Sequence, residues 1–281
     1  MSDRAVPYLL SLPALVFIGV LFLLPAVFLV AGGFFAPEGP NAGHLTLKLY
    51  RDFFSDSYNW GLMRRTVVLS FITTVVSLLL AFPVALHMRQ MSPRARSIIT
   101  LLIVSPLLTS VVVRTLAWVI LLGPRGVINN ALLAVGLSPV ALIYNDTGVV
   151  IGLTHVFFGY MALSLMASIS RIDDNLLLAA SNLGASRWVI LREIIIPLSL
   201  PGMLAGSILV FTMSASTYAT PALLGGTGSK QMATEIYDLA IAYLEWREAG
   251  VMAVVLFVIV SVIAFTATYL AERGRGRVIF R

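Results

Sequence analysis

Six long apolar runs, separated by polar connections, dominate the chain. They extend approximately from Tyr8 to Gly33, Thr66 to Met88, Ile98 to Leu122, Gly148 to Ile169, Pro197 to Tyr218 and Gly250 to Ala271. A hydrocarbon core of about 30 Å takes about 20 helical residues, because each backbone N–H and C=O must be bonded within its own segment. Every run meets that length, so the expected fold is all-α: a polytopic membrane protein with six transmembrane helices. The first run exceeds the ~7–15-residue apolar core of a secretory signal and is expected to be retained. Pro197 and Pro201 open the fifth run, where a first helical turn tolerates them. Pro83 and Pro106 fall inside runs and mark expected kinks.

Three connections carry structure of their own. The one from Phe34 to Met63 has Pro37, Gly39 and Pro40 as turn formers and a short helical candidate around Leu49 to Phe54. Between the last two runs, Gly225, Gly226 and Gly228 precede an amphipathic stretch. A regular helix there puts Met232, Ile236, Leu239, Ala240 and Tyr243 on one face and Glu235, Asp238 and Glu245 on another. The third, Ser170 to Pro201, is too apolar for a free loop: Leu176, Leu177, Ala179, Ala180, Leu183, Val189, Ile190 and Leu191 need something to pack against. Gly184 divides it into two short helices, and an exposed apolar patch of this kind implies a protein partner.

Composition agrees with a membrane protein: 59% of the 281 residues are hydrophobic and 11% charged, against about a quarter charged in soluble domains. The net charge of +6 comes from scattered residues, not from a basic patch, so it argues orientation and not nucleic acid. Of the 19 Lys and Arg, the larger share, including Arg4, Arg89, Arg94, Arg96, Arg171, Arg187, Arg192, Arg273 and Arg281, falls on the side of both termini. That side is expected to be cytoplasmic. The absence of cysteine removes disulfides, thiolate metal sites and cysteine nucleophiles.

Ala179-Ala180, then Gly184-Ala185-Ser186, and later Ile194 to Pro197 and Pro201-Gly202 resemble the "EAA" loop of ABC-type importer permeases. The likeness extends through Leu49 to Asp56 (LYRDFFSD), Arg114 to Leu132 and Tyr218 to Gly226, which are similar to the first permease subunit of spermidine/putrescine-type importers. The resemblance implies one permease domain over residues 1–281, with its core at about 62–271, the first helix at 8–33, an extracytoplasmic loop at 34–63 and a cytoplasmic coupling-helix loop at 170–196, between the fourth and fifth transmembrane helices. It further implies that Leu178, Ala179, Ala180, Gly184, Ala185, Ser186 and Arg187 meet an ATPase, with Leu178 standing where the motif usually has glutamate. The implied partners are two copies of a cytoplasmic ATPase subunit that hold ATP and Mg, a second homologous permease subunit in a heterodimer, and an extracytoplasmic solute-binding protein. The implied place is a bacterial inner membrane, and the implied cargo a polyamine or another small cationic or amino-acid-like solute moved by alternating access.

Candidate solute contacts are few. Arg114 stands inside a span, where a charge needs a partner or water; it either lines a cavity or bonds helix-end carbonyls. Glu235, Asp238 and Glu245 form either an anionic stripe that attracts a polyamine or a solvated helix face. Tyr218, Tyr237 and Trp118 offer ring faces to ammonium groups or serve as interfacial anchors. No cofactor or metal is expected: His44, His87 and His155 form no H-E-x-x-H motif, and without a G-x-x-x-x-G-K-[ST] ATP hydrolysis is expected on a separate subunit; the resemblance implies a transport subunit and not an enzyme. An ion-coupled transporter acting alone would instead require midplane charges and an internal repeat, and the sequence displays neither.

Overall fold

The computed structural model describes residues 6–35 and 44–278. Pro37, Gly39 and Pro40, with Arg4 and Arg281, lie outside the described residues. Helix dominates throughout, and a single antiparallel bridge joins Phe35 to Leu45 among the described residues. In order come α1 (Val6–Gly32), α2 (Lys48–Ser55), α3 (Ser57–Arg89), α4 (Pro93–Val104), α5 (Val111–Leu122), α6 (Val127–Ala134), α7 (Asp146–Ile169), α8 (Asp174–Asn182), α9 (Arg187–Ile190), α10 (Ile196–Ser216), α11 (Ala219–Gly225), α12 (Met232–Tyr237) and α13 (Trp246–Val278). Six stretches among the described residues are long and apolar enough to cross a membrane: Leu12–Gly32, Ser57–Arg89, Val111–Ala134, Asp146–Ile169, Arg187–Ser216 and Trp246–Tyr269.

The third and fifth differ from the expected runs, and proline explains both. Pro106 has no N–H to give Leu102, so α4 tightens into a 3₁₀ turn at Ser105–Leu108, the Ser105 hydroxyl takes the Leu102 carbonyl instead, and the backbone is extended at Thr109 and Ser110 before α5 restarts. The expected single helix from Ile98 to Leu122 is therefore broken, and the membrane-crossing length is reached by α5 and α6 together. In the fifth, Pro197 does not start the helix. A π turn at Leu191–Ile195, closed by Ile196 N–H on the Leu191 carbonyl, widens the ladder just before it, so that helix runs on from Arg187 to Ser216. The second run is also longer than expected: Asp56 accepts from the Tyr58 N–H at 2.9 Å and starts α3 at Ser57.

The chain falls into two compact units, Met1–Gly61 with Glu235–Phe257, and Leu62–Thr234 with Val258–Arg281. In the first, α1 closes against the start of α13 at glycines: a Cβ on Gly250 would stand 2.8 Å from the Leu29 carbonyl. The second holds a core of Leu69, Leu122, Leu153, Phe157, Met161, Leu165 and Val210, with α7 at its centre. Asn145 caps α7 by accepting from Gly148 N–H at 2.9 Å, and Asp146 suits its positive end. Gly202 and Gly206 press α10 onto α7, where Ser164 Oγ donates to the Gly202 carbonyl at 2.9 Å.

Candidate functional site

The segment after α7 forms a helical hairpin whose termini are fixed by its own sequence. Asp173 caps α8 by accepting from Asn175 N–H at 2.9 Å. At the other end Ala185 N–H returns to the Ala180 carbonyl and Gly184 N–H to that of Ser181, both at 3.0 Å, a Schellman closure that needs the left-handed φ of +83° at Gly184. Ser186 then caps the next helix through Val189 N–H. Gly184 thus divides the stretch as its position predicts. The hairpin leaves apolar side chains outside: Leu183 is 89% exposed and Trp188 69%, with Leu176, Leu178 and Val189 also exposed. Leu178, Ala179, Ala180, Gly184, Ala185, Ser186 and Arg187 all lie on this hairpin, with Ala180 and Ala185 half-buried and the rest at its surface.

In the first unit, α2, the start of α3, the residues around Glu235 and the start of α13 enclose a cavity of about 310 Å³. Asp52, Asp56, Glu235 and Glu248 line it with Tyr58, Asn59 and Phe53, and no Lys or Arg is among the lining residues. Tyr58 Oη donates to the Glu235 carboxylate at 3.0 Å. The elements hold each other in place: Asn59 Nδ2 and Trp60 Nε1 cap the Phe53 and Phe54 carbonyls that α2 leaves open at its end. Carboxylates brought together with no basic residue in the lining favour a cationic guest.

Glu235 is only 9% exposed and so does not sit on a solvated face. The expected stripe of Glu235, Asp238 and Glu245 does not form: Glu235 lies before a π turn, Asp238–Ala242, closed by Tyr243 N–H on the Asp238 carbonyl, and Glu245 lies past the helix end, after Leu244 at a left-handed φ of +60°. Tyr243 is exposed, Asp238 is half-buried, and neither Tyr237 nor Asp238 lines the cavity. Asp52, Asp56 and Glu248 were not singled out by sequence reasoning; the i, i+4 spacing of Asp52 and Asp56 was the available signal.

The remaining candidates belong to the second unit. Arg114 is buried and donates to the Pro106 carbonyl, the acceptor freed at the break in the third crossing, which Thr109 Oγ1 also reaches at 2.8 Å. Helix-end capping is thus its observed contact. Trp118 Nε1 donates to His155 Nδ1 at 3.1 Å with the rings edge to face. Tyr218 precedes α11 and is exposed.

No protein-family profile matches the chain. It is similar to the spermidine/putrescine transport system permease protein PotB of Haemophilus influenzae, at 27% identity over 258 residues and 90% of each chain. The inner membrane ABC transporter permease protein YdcU of Escherichia coli is 28% identical over 238 residues, 79% of this chain and 76% of that one. A permease named for 2-aminoethylphosphonate transport in Salmonella paratyphi A is 26% identical over 262 residues, 89% of this chain and 90% of that one. Among solved structures, a bacterial ABC transporter involved in import of the acidic polysaccharide alginate matches with TM-score 0.81 at 20% identity over 96% of both chains. The methionine ABC transporter MetNI matches with TM-score 0.56 at 16% identity over 74% of this chain and 92% of that one. The chain is a multi-pass membrane protein with the fold of ABC-transporter permeases.

Proposed function

We infer that this chain, a permease of the ABC-transporter type, is the membrane subunit of an ATP-driven importer whose cargo is a small organic cation of the spermidine and putrescine class. The exposed apolar hairpin of α8 and α9 carries the first half of that reading: hydrocarbon-like side chains on a capped, polar-ended hairpin need a protein surface, and an ATPase subunit on the cytoplasmic face supplies one. The acidic cavity carries the second half. Its four carboxylates match the spaced ammonium groups of a polyamine, and Tyr58 and Phe53 add ring surface for them. The Lys and Arg distribution supports an orientation with both termini in the cytoplasm and this cavity on the extracytoplasmic side, where a binding protein delivers solute. A second permease subunit completes the pathway, and two ATPase subunits hold ATP and Mg; their closure moves the hairpins and switches access from one side to the other.

A zwitterionic cargo is a second reading, favoured by Arg114, a buried cation beside the break in the third crossing that suits a carboxylate or phosphonate. Reconstituting the whole complex in nanodiscs with its binding protein tests both. Stimulation of ATP hydrolysis by spermidine or putrescine is the expected result; stimulation by 2-aminoethylphosphonate or a neutral amino acid alone would replace the cation reading, and failure of any ATPase to co-purify would remove the importer reading. Glu235→Gln keeps the acceptor for Tyr58 while losing the charge, and should raise the spermidine concentration for half-maximal uptake about tenfold, the effect of one lost charge-assisted contact of about 1.4 kcal/mol. An unchanged uptake curve would take the cavity out of the pathway.

A further inference from the structure

Arg89 ends α3, where a cation suits the negative end of the helix dipole, yet its side chain turns into the protein and is only 11% exposed. Its guanidinium donates to the Ile172 carbonyl at 2.7 Å and to the Asp174 carboxylate. Ile172 is buried in the turn after α7, and Asp174 is the first residue of α8. Arg96, from α4, donates to the Met88 carbonyl at 3.0 Å and to that of Arg89 at 2.8 Å, so the end of α3 that presents Arg89 is itself capped. The Asp174 side chain is 86% exposed, and an ion pair with so exposed a partner contributes little by itself. The bond to a buried turn's carbonyl is what makes the arrangement a fastening.

We propose that Arg89 is a positioning residue for energy coupling: it makes the first turn of α8 move with the end of α3, giving motion of the hairpin a route into the second transmembrane helix besides its covalent links to α7 and α10. The proposal rests on the reading of the hairpin as the ATPase contact. Severing this route uncouples hydrolysis from transport without touching the ATPase.

The test uses the full complex with its ATPase, partner permease and binding protein in liposomes, with spermidine as the solute. Arg89→Gln should leave hydrolysis without solute unchanged and cut both the stimulation by spermidine and the uptake about fivefold, within the range expected for coupling residues. Arg89→Lys, which keeps the charge but cannot span both acceptors, should recover about half of the loss. Asp174→Asn, which removes only the charge of the exposed partner, should lower stimulation less than Arg89→Gln does. Wild-type stimulation in Arg89→Gln overturns the proposal; where that variant does not assemble, wild-type stimulation in Arg89→Lys overturns it. A wild-type complex that recruits no ATPase overturns the importer reading, and the clamp falls with it.

Discussion

Gly184→Trp should abolish solute uptake while the subunit still inserts and folds. Gly184 lies at a φ of +83°, and a Cβ built there meets no heavy atom of the chain within 4 Å. The subunit itself therefore bears only the backbone cost of a left-handed L-residue, about 1–2 kcal/mol. An indole at this point stands between Leu183 and Ala185 on the exposed face of the hairpin, which on the importer reading is where the ATPase comes close. Lost docking of about 3 kcal/mol would lower occupancy about a hundredfold. Gly184→Ala carries the same backbone strain without the bulk, so it should keep most of the uptake. Uptake into proteoliposomes loaded with ATP, with binding protein and solute outside, together with co-elution of the ATPase, separates the two effects. Full uptake in Gly184→Trp would mean that this face docks nothing, and equal loss in both variants would place the fault in the backbone of α8.

The membrane-spanning helices were legible in hydropathy because lipid imposes one rule on every segment, and the two-helix hairpin was legible because Gly184 is a local signal. What escaped was non-local or a matter of one residue. Pro106 was visible as a kink, but whether a proline bends a helix or ends it depends on who takes the freed carbonyls; here Ser105 and Arg114 do, and the third crossing breaks. Pro197 reads as a helix start by itself, yet the π turn before it absorbs the misfit and the helix continues through it. At Asp238–Ala242 a π turn closes the helix and Leu244 turns the chain at a left-handed φ of +60°, so Glu245 shares no helical face with Glu235 and Asp238; a helical period holds only while the helix lasts. The acidic cavity draws on segments nearly two hundred residues apart in sequence, from Asp52 to Glu248, which no local period could join.

Gly202→Leu should cost the subunit its fold. Inside a bilayer apolar surface gives helices little reason to pair, so association depends on close packing and interhelical hydrogen bonds. A Cβ on Gly202 would stand 2.4 Å from the Ser168 Cβ and 2.7 Å from the Ser164 carbonyl, both on α7, and neither is the movable tip of a long side chain. Separating the helices to admit it also stretches the 2.9 Å bond from Ser164 Oγ to the Gly202 carbonyl. Overpacking of this kind costs about 1–3 kcal/mol, and the lost hydrogen bond about 1 more. Even Gly202→Ala should therefore lower the thermal midpoint in detergent, with Gly202→Leu lower still and poorly accumulated. Gly61→Ala is the matching control: its Cβ meets nothing within 4 Å in α3, and alanine stabilises a helix by about 0.5–1 kcal/mol over glycine. For the Gly202 variants uptake should fall in proportion to folded protein, which distinguishes a packing glycine from the docking role proposed for Gly184. Pro201-Gly202 belongs to the same sequence motif as Gly184, so if Gly202→Ala keeps a wild-type midpoint but loses uptake per folded molecule, the motif serves coupling throughout and the packing account of Gly202 is wrong.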